Sequence, residues 1–166
     1  MNYTTVPGAR VGVLMGSASD WSTMKRTAET LTELGVTHEC NAISAHRNPD
    51  RVMHYCRHAP DRGIRVLICA AGGAAHLAGV VAAHSPLPVL ACPIAAWSLD
   101  GLDSLLSMVQ MPKGVPVATF AIGNAGAINA ALFAVQILAG TDEALHARWL
   151  AFRAAQSAAV QTLPAS

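Results

Sequence analysis

The sequence predicts a single α/β domain: a doubly wound parallel sheet covered by helices on both faces, giving three α-β-α layers, with one extra helix at the C-terminal end. Three observations point there. Short apolar runs alternate with stretches of helical period from residue 10 to residue 138. Those runs are apolar throughout rather than at every second position, as strands buried on both faces require. The length, 166 residues, suits one domain with a real core. Residues 1–166 are therefore read as one domain, 10–140 as its α/β core and 141–158 as the added helix.

The elements follow in order. Residues 10–15 form the first strand, ending in the small residues GSAS. A helix follows with Trp21, Met24, Ala28 and Leu31 on one face and Gly35 as its stop. Residues 36–43 form the second strand. Asn48 then caps a helix, with Pro49 at its first position and Asp50 favourable to the helix dipole. Residues 65–70 are the third strand, and GGAAHLAGVVAAH is a helix with a glycine-rich entrance. Residues 88–94 make the fourth strand, Leu102–Val109 a helix, residues 115–122 the fifth strand and residues 125–138 a buried helix. Thr141 is the N-cap candidate of the last helix, with Asp142 and Glu143 in its first turn. Its stripe of Leu145, Trp149 and Phe152 is more apolar than a peripheral helix needs and is expected to pack on a neighbouring subunit.

Composition narrows the function classes. Apolar residues make up 52% and charged residues 13%, about half the charged share of a typical soluble domain; much of the surface is expected to be interface. The formal net charge of +1, with Lys and Arg scattered, leaves no electrostatic footprint for nucleic acid. Two long stretches carry no charge, residues 66–99 and 114–141. Gly72, Gly73, Pro86, Pro88 and Pro93 break the first, and the longest helical piece of the second falls short of the roughly 20 residues a membrane span needs. The start, MNYTTVPGAR, has neither the basic end nor the apolar core of a signal peptide, so a cytoplasmic location is expected. The four cysteines form no CxxC pair. His38 with Cys40, and Cys56 with His58, have a ligand-like spacing, but two residues apart on a helix point about 200° away from each other. No metal site is expected, and the cysteines are read as small buried hydrophobes.

In a doubly wound sheet the ligand lies outside the carboxyl ends of the strands, and three loops of unusual composition fall there. In MGSASD, small residues free backbone N–H groups for an anion; Ser17 and Ser19 add hydroxyls, Asp20 could accept from a sugar hydroxyl, and Ser19 could instead cap the helix. In SAHRN, Arg47 offers a planar fork for phosphate beside the hydroxyl of Ser44. His46 brings a side-chain type that ordinarily titrates at about 6.5, suited to proton transfer. In AAGGAAH, Gly72 and Gly73 allow close approach of backbone. His76 is either a second proton-handling group or a helix residue bonding a neighbouring loop. His38, His54, His58, His84 and His146 lack such context. Neither GxGxxG, GxxxxGK[ST] nor GxSxG occurs, which removes the dinucleotide, P-loop and serine-hydrolase readings.

The segments MGSASDW, SAHRNPD, GGAAHLAG and GLDSLLSMVQMPKGVPVATFAIGNAGAINAALFAVQIL, in this order and spacing, closely resemble the PurE family of N5-carboxyaminoimidazole ribonucleotide mutases of bacterial purine biosynthesis. The match runs from about residue 11 to residue 138. The resemblance implies a flavodoxin-like fold and a homo-octamer with active sites at subunit junctions, which agrees with the scarcity of charge. It implies a carboxylate moved from the exocyclic nitrogen to C4 of an aminoimidazole ribonucleotide through CO2 held in the pocket, without metal, ATP or organic cofactor. His46 is then the acid and base, and His76 is counted with it as a catalytic residue. Ser17, Asp20 and Arg47 hold the ribose phosphate, supported by Ser19, Ser44 and Ala45. The backbone from Gly72 through Gly73 and Ala74 to Leu77 covers the ring and retains CO2. The chain departs from the family pattern at Asn48, Ala78, the Ala70-Ala71-Gly72-Gly73 turn and, above all, Ala95 and Ala96, where relatives carry a polar residue and serine. Two other readings stay open: a carboxylase that uses CO2 directly, whose members tend to carry Lys after the loop histidine, and a non-catalytic nucleotide- or flavin-binding module of the same fold.

Overall fold

The structure, a computed structural model, describes residues 3–159; the expected domain of residues 1–166 extends past these at both ends. Five strands, β1 (Val11–Met15), β2 (His38–Ala42), β3 (Val66–Gly72), β4 (Val89–Ile94) and β5 (Ala118–Thr119), form one sheet in the order β2-β1-β3-β4-β5. Every pairing is parallel. The helices are α1 (Trp21–Glu33), α2 (Pro49–His58), α3 (Leu77–His84), α4 (Leu102–Val109), α5 (Asn124–Ala139) and α6 (Glu143–Ala158). Alternate residues of the central strands feed two cores. Val11, Val13, Val66, Ile68 and Leu90 meet α1, α5 and the start of α6 on one face. Leu14, Leu67, Cys69 and Ala91 meet α2, α3 and Met108 of α4 on the other. Both faces being covered is why β1 and β4 are buried at every position and why their sequences read as unbroken apolar runs.

The expected strand and helix order holds, and its boundaries shift for local reasons. The fifth strand pairs at Ala118 and Thr119 only, since Pro116 has no N–H to give a ladder. The helix after β3 begins at Leu77, not at the glycines: Gly72 still belongs to the strand, and Gly73 turns the chain at φ +66°. On α1 the buried face carries Thr27, whose hydroxyl donates to the Ala127 carbonyl of α5 at 2.8 Å, while Trp21 is exposed. The N-cap of α6 is Asp142, not Thr141; its carboxylate accepts from the Leu145 N–H at 2.9 Å and from Arg10 at 2.6 Å. On α6, Leu145 is buried, and Trp149 and Phe152 pack, partly buried, against the same core.

Edge strand β2 departs from the all-apolar pattern, with Glu39 and Asn41 buried. The Glu39 carboxylate accepts from Tyr55 Oη at 2.7 Å, Arg62 Nη1 at 3.1 Å and the Val6 N–H at 3.0 Å. The Asn41 side chain accepts from the Thr4 N–H at 2.7 Å and donates to its carbonyl at 2.9 Å. Strand-like pairing of the N-terminal segment by side chains is what these polar residues supply. Four of the described helices end or begin beside the carboxyl ends of β1–β4, and there the fold opens a cavity.

Candidate active site

The cavity, about 370 Å³, lies at the reversal of strand order between β1 and β3, where a doubly wound sheet parts its loops. Its walls are the loops after β1, β2, β3 and β4. In the first, Gly16 is tied to β3 by its N–H, donated to the Ala70 carbonyl at 2.9 Å. Ser17, not Ser19, caps the following turn: Ser17 Oγ accepts the Ser19 N–H at 3.3 Å, and Asp20 Oδ2 accepts the Ser17 N–H at 3.0 Å. Both residues still line the cavity. Burial pushes the Asp20 carboxyl above the ordinary aspartate value, against the hydrogen bonds from Ser17, Ser19 and Gly16 that favour its charge.

The second loop is built by its own side chains. Ser44 Oγ accepts the Arg47 N–H at 3.2 Å, and Asn48 Oδ1 accepts the Arg51 N–H at 3.2 Å, so the Asn-Pro pair starts α2 as its chemistry dictates. This folding leaves the His46 and Arg47 side chains exposed at the cavity. Arg47 Nη2 donates to the Gly16 carbonyl at 3.2 Å, joining the first two loops. His46 Nε2 lies 2.8 Å from His76 Nδ1, the rings edge to face with centroids 5.0 Å apart. One ring donates and the other accepts, the roles set by the tautomer of each.

The third loop is held from behind. Gly73 donates its N–H to Ser104 Oγ at 2.9 Å, and that buried hydroxyl donates to the Ile94 carbonyl at 2.9 Å. Gly73 thus faces away: every other residue expected at the site, namely Ser17, Ser19, Asp20, Ser44, Ala45, His46, Arg47, Gly72, Ala74, His76 and Leu77, lines the cavity, and Gly73 does not. Beyond the expected residues, Gly16, Ala71 and Trp97 stand in the wall with Ser104 as support, and Ala96, named in the sequence only as a departure from the family pattern, lines it too. Ala96 and Trp97 follow the carboxyl end of β4, so the rule that nominated the other loops also covers this one. Trp97 holds a positive φ of 58°, a conformation costing a bulky residue about 1–3 kcal/mol.

Among the described residues no three His, Cys, Asp or Glu side chains gather as a metal site would need. Cys56 is buried while His58 is exposed. Burial holds the Cys56 and Cys92 thiols up at about 12 and, with the Glu39 charge, Cys40 at about 11, so none is a ready nucleophile. No helix of the described chain is long and apolar enough to cross a membrane.

Fold and cavity together define a flavodoxin-like α/β protein with a histidine pair and an arginine at its switch-point crevice. The chain belongs to the AIR carboxylase family, whose model matches residues 10–159. It is 52% identical over 156 residues to the N5-carboxyaminoimidazole ribonucleotide mutase of Pseudomonas aeruginosa, covering 94% of this chain and 96% of that protein. It is 56% identical over 135 residues to the mutase of the same name from Bacillus subtilis, covering 81% and 83%. Among solved structures, that of Treponema denticola PurE superposes with a TM-score of 0.80 at 27% identity, over 89% of this chain and 90% of that one.

Proposed function

We propose that this protein is a mutase that converts N5-carboxyaminoimidazole ribonucleotide to 4-carboxyaminoimidazole ribonucleotide, with His46 as general acid and base. The observation that carries the reading is the contact at 2.8 Å between His46, in the same loop as Arg47, and His76 of the loop after β3. An anion held by a guanidinium fork beside a helix start is a phosphate monoester's natural seat, and it fixes the rest of the nucleotide within reach of the imidazole. Relatives bearing the mutase name at 52% and 56% identity support the same substrate.

The reaction balances on one imidazole. The N–CO2 bond breaks, and imidazolium donates a proton to the exocyclic nitrogen. The ring carbon C4 then forms its bond to the CO2 retained in the cavity, and the now neutral imidazole removes the C4 proton. Each turnover returns His46 to its starting state, so no cofactor is required. Ser17, Ser19, Asp20, Ser44 and Ala45 position the ribose phosphate with Arg47; Gly72, Ala74 and Leu77 cover the ring, and exclusion of water keeps CO2 from escaping. His76 orients the ring of His46 and shares its proton. The protein works as a cytoplasmic homo-oligomer, an octamer on the family pattern, in which α4 and the outer side of α6 meet neighbouring subunits.

The description of the matching family, AIR carboxylase, favours one second reading, carboxylation of aminoimidazole ribonucleotide by CO2. Ultraviolet assay of the N-carboxylated ribonucleotide at low bicarbonate separates the two. Conversion that is indifferent to added bicarbonate and lost in His46→Asn establishes the mutase; a requirement for bicarbonate establishes the carboxylase, and no conversion by the wild type leaves only a binding module.

A further inference from the structure

Trp97 is the one Trp, Tyr or Phe in the wall of the cavity, and it is 78% exposed, so it adds little to the core. Its seat is nonetheless built. A Cβ on Gly73 would collide with Cζ3 and fall 2.6 Å from Cε3 of the indole, and one on Gly72 would fall 2.8 Å from the Ala96 Cβ. Two adjacent glycines therefore clear the space in which the chain after β4 lays an indole on the turn after β3. Ser104 fixes that turn from below through the Gly73 N–H and the Ile94 carbonyl, and the backbone of Trp97 is held at φ 58°. The outcome is a flat, neutral, solvent-facing aromatic plate in the wall that also holds His46, His76 and Arg47. A rigid aromatic surface beside cationic and hydrogen-bonding groups fits a ligand with a charged end and a planar ring.

We propose that Trp97 is a substrate-recognition residue that stacks on the planar heterocycle of the nucleotide while Arg47 holds its phosphate, an inference that rests on the ribonucleotide reading above. Stacking on an aromatic side chain supports roughly tenfold or more in affinity. The test compares wild type, Trp97→Phe and Trp97→Leu, each checked for a cooperative melt and native assembly size. Tryptophan fluorescence and calorimetry follow titration with 5-aminoimidazole ribonucleotide, and ribose 5-phosphate serves as the ligand without a ring. The ribonucleotide is expected to quench wild-type fluorescence strongly and ribose 5-phosphate little. Trp97→Phe keeps affinity within a few-fold but loses the quench, and Trp97→Leu binds the ribonucleotide about tenfold more weakly with ribose 5-phosphate unchanged. Equal affinity in Trp97→Leu, or equal loss for both ligands, overturns the inference. So does a Trp97→Leu variant that falls to a smaller assembly with normal KM, because the indole would then be a subunit contact. A wild type that converts its substrate while the variants behave alike sinks the inference alone; a wild type that does not bind the ribonucleotide sinks the functional reading with it.

Discussion

At the scale of single residues, the proposed reaction assigns proton transfer to His46 and anchoring to Arg47. His46 and Arg47 are chain neighbours, yet one bonds His76 after β3 and the other the Gly16 carbonyl after β1. Replacing His46 by Asn should therefore lower kcat at least about 100-fold while KM, carried by Arg47 and the serine loop, changes only a few-fold; steady-state kinetics reads the split. Asp20 gives a pH signature. Its carboxyl is raised by burial, so the folded protein holds that proton more tightly than the unfolded chain. The contribution is fully favourable below the ordinary value of about 3.9 and is lost as pH rises toward the raised folded value. Asn at position 20 keeps an acceptor for the Ser17 N–H and removes the titration, so melting temperature plotted against pH should lose that downward slope. That Ser17, Asp20, His46 and Arg47 line one cavity was legible from the sequence because all lie in loops after strand carboxyl ends. That Gly73 stands outside the lining was not legible, because a glycine beside a cavity and a glycine behind it look the same in one dimension; the Ser104 hydroxyl that takes its N–H is 31 residues distant.

At the scale of elements, alternation of strand and helix was readable because burial on both sheet faces writes itself as unbroken apolar runs. Edge strand β2 was harder. Its buried Glu39 and Asn41 are satisfied by Tyr55, Arg62 and the backbone of residues 4 and 6, partners that periodicity does not reveal. The Tyr55 hydroxyl is the donor that joins α2 to this edge. Tyr55→Phe removes it from a buried carboxylate and should cost about 1–3 kcal/mol in denaturant unfolding, with kcat little altered because the network lies away from the cavity. The cap of α6 moved from Thr141 to Asp142 for a comparable reason: Arg10, more than a hundred residues earlier, pairs with the aspartate. The Leu145 N–H and Arg10 hold the Asp142 carboxyl below its usual range.

At the scale of the whole molecule, the scarcity of charge noted in the sequence reappears as exposed apolar side chains: Leu102, Leu106 and Val109 along α4, with Leu99 just before it. Covering this stripe with a second copy would remove apolar surface from water. Light scattering should give a mass several times the 17.2 kDa of one chain, and Leu106→Glu should shift the population to smaller species with lower activity. Enclosure of CO2 between bond breaking and bond making is what the catalytic account rests on. Its most direct test is to supply N5-carboxyaminoimidazole ribonucleotide labelled with carbon-13 in the transferable carboxylate, in buffer containing unlabelled bicarbonate, and to weigh the product by mass spectrometry. The account expects the 4-carboxy product to retain the label; label diluted to the level of the bicarbonate pool would contradict it.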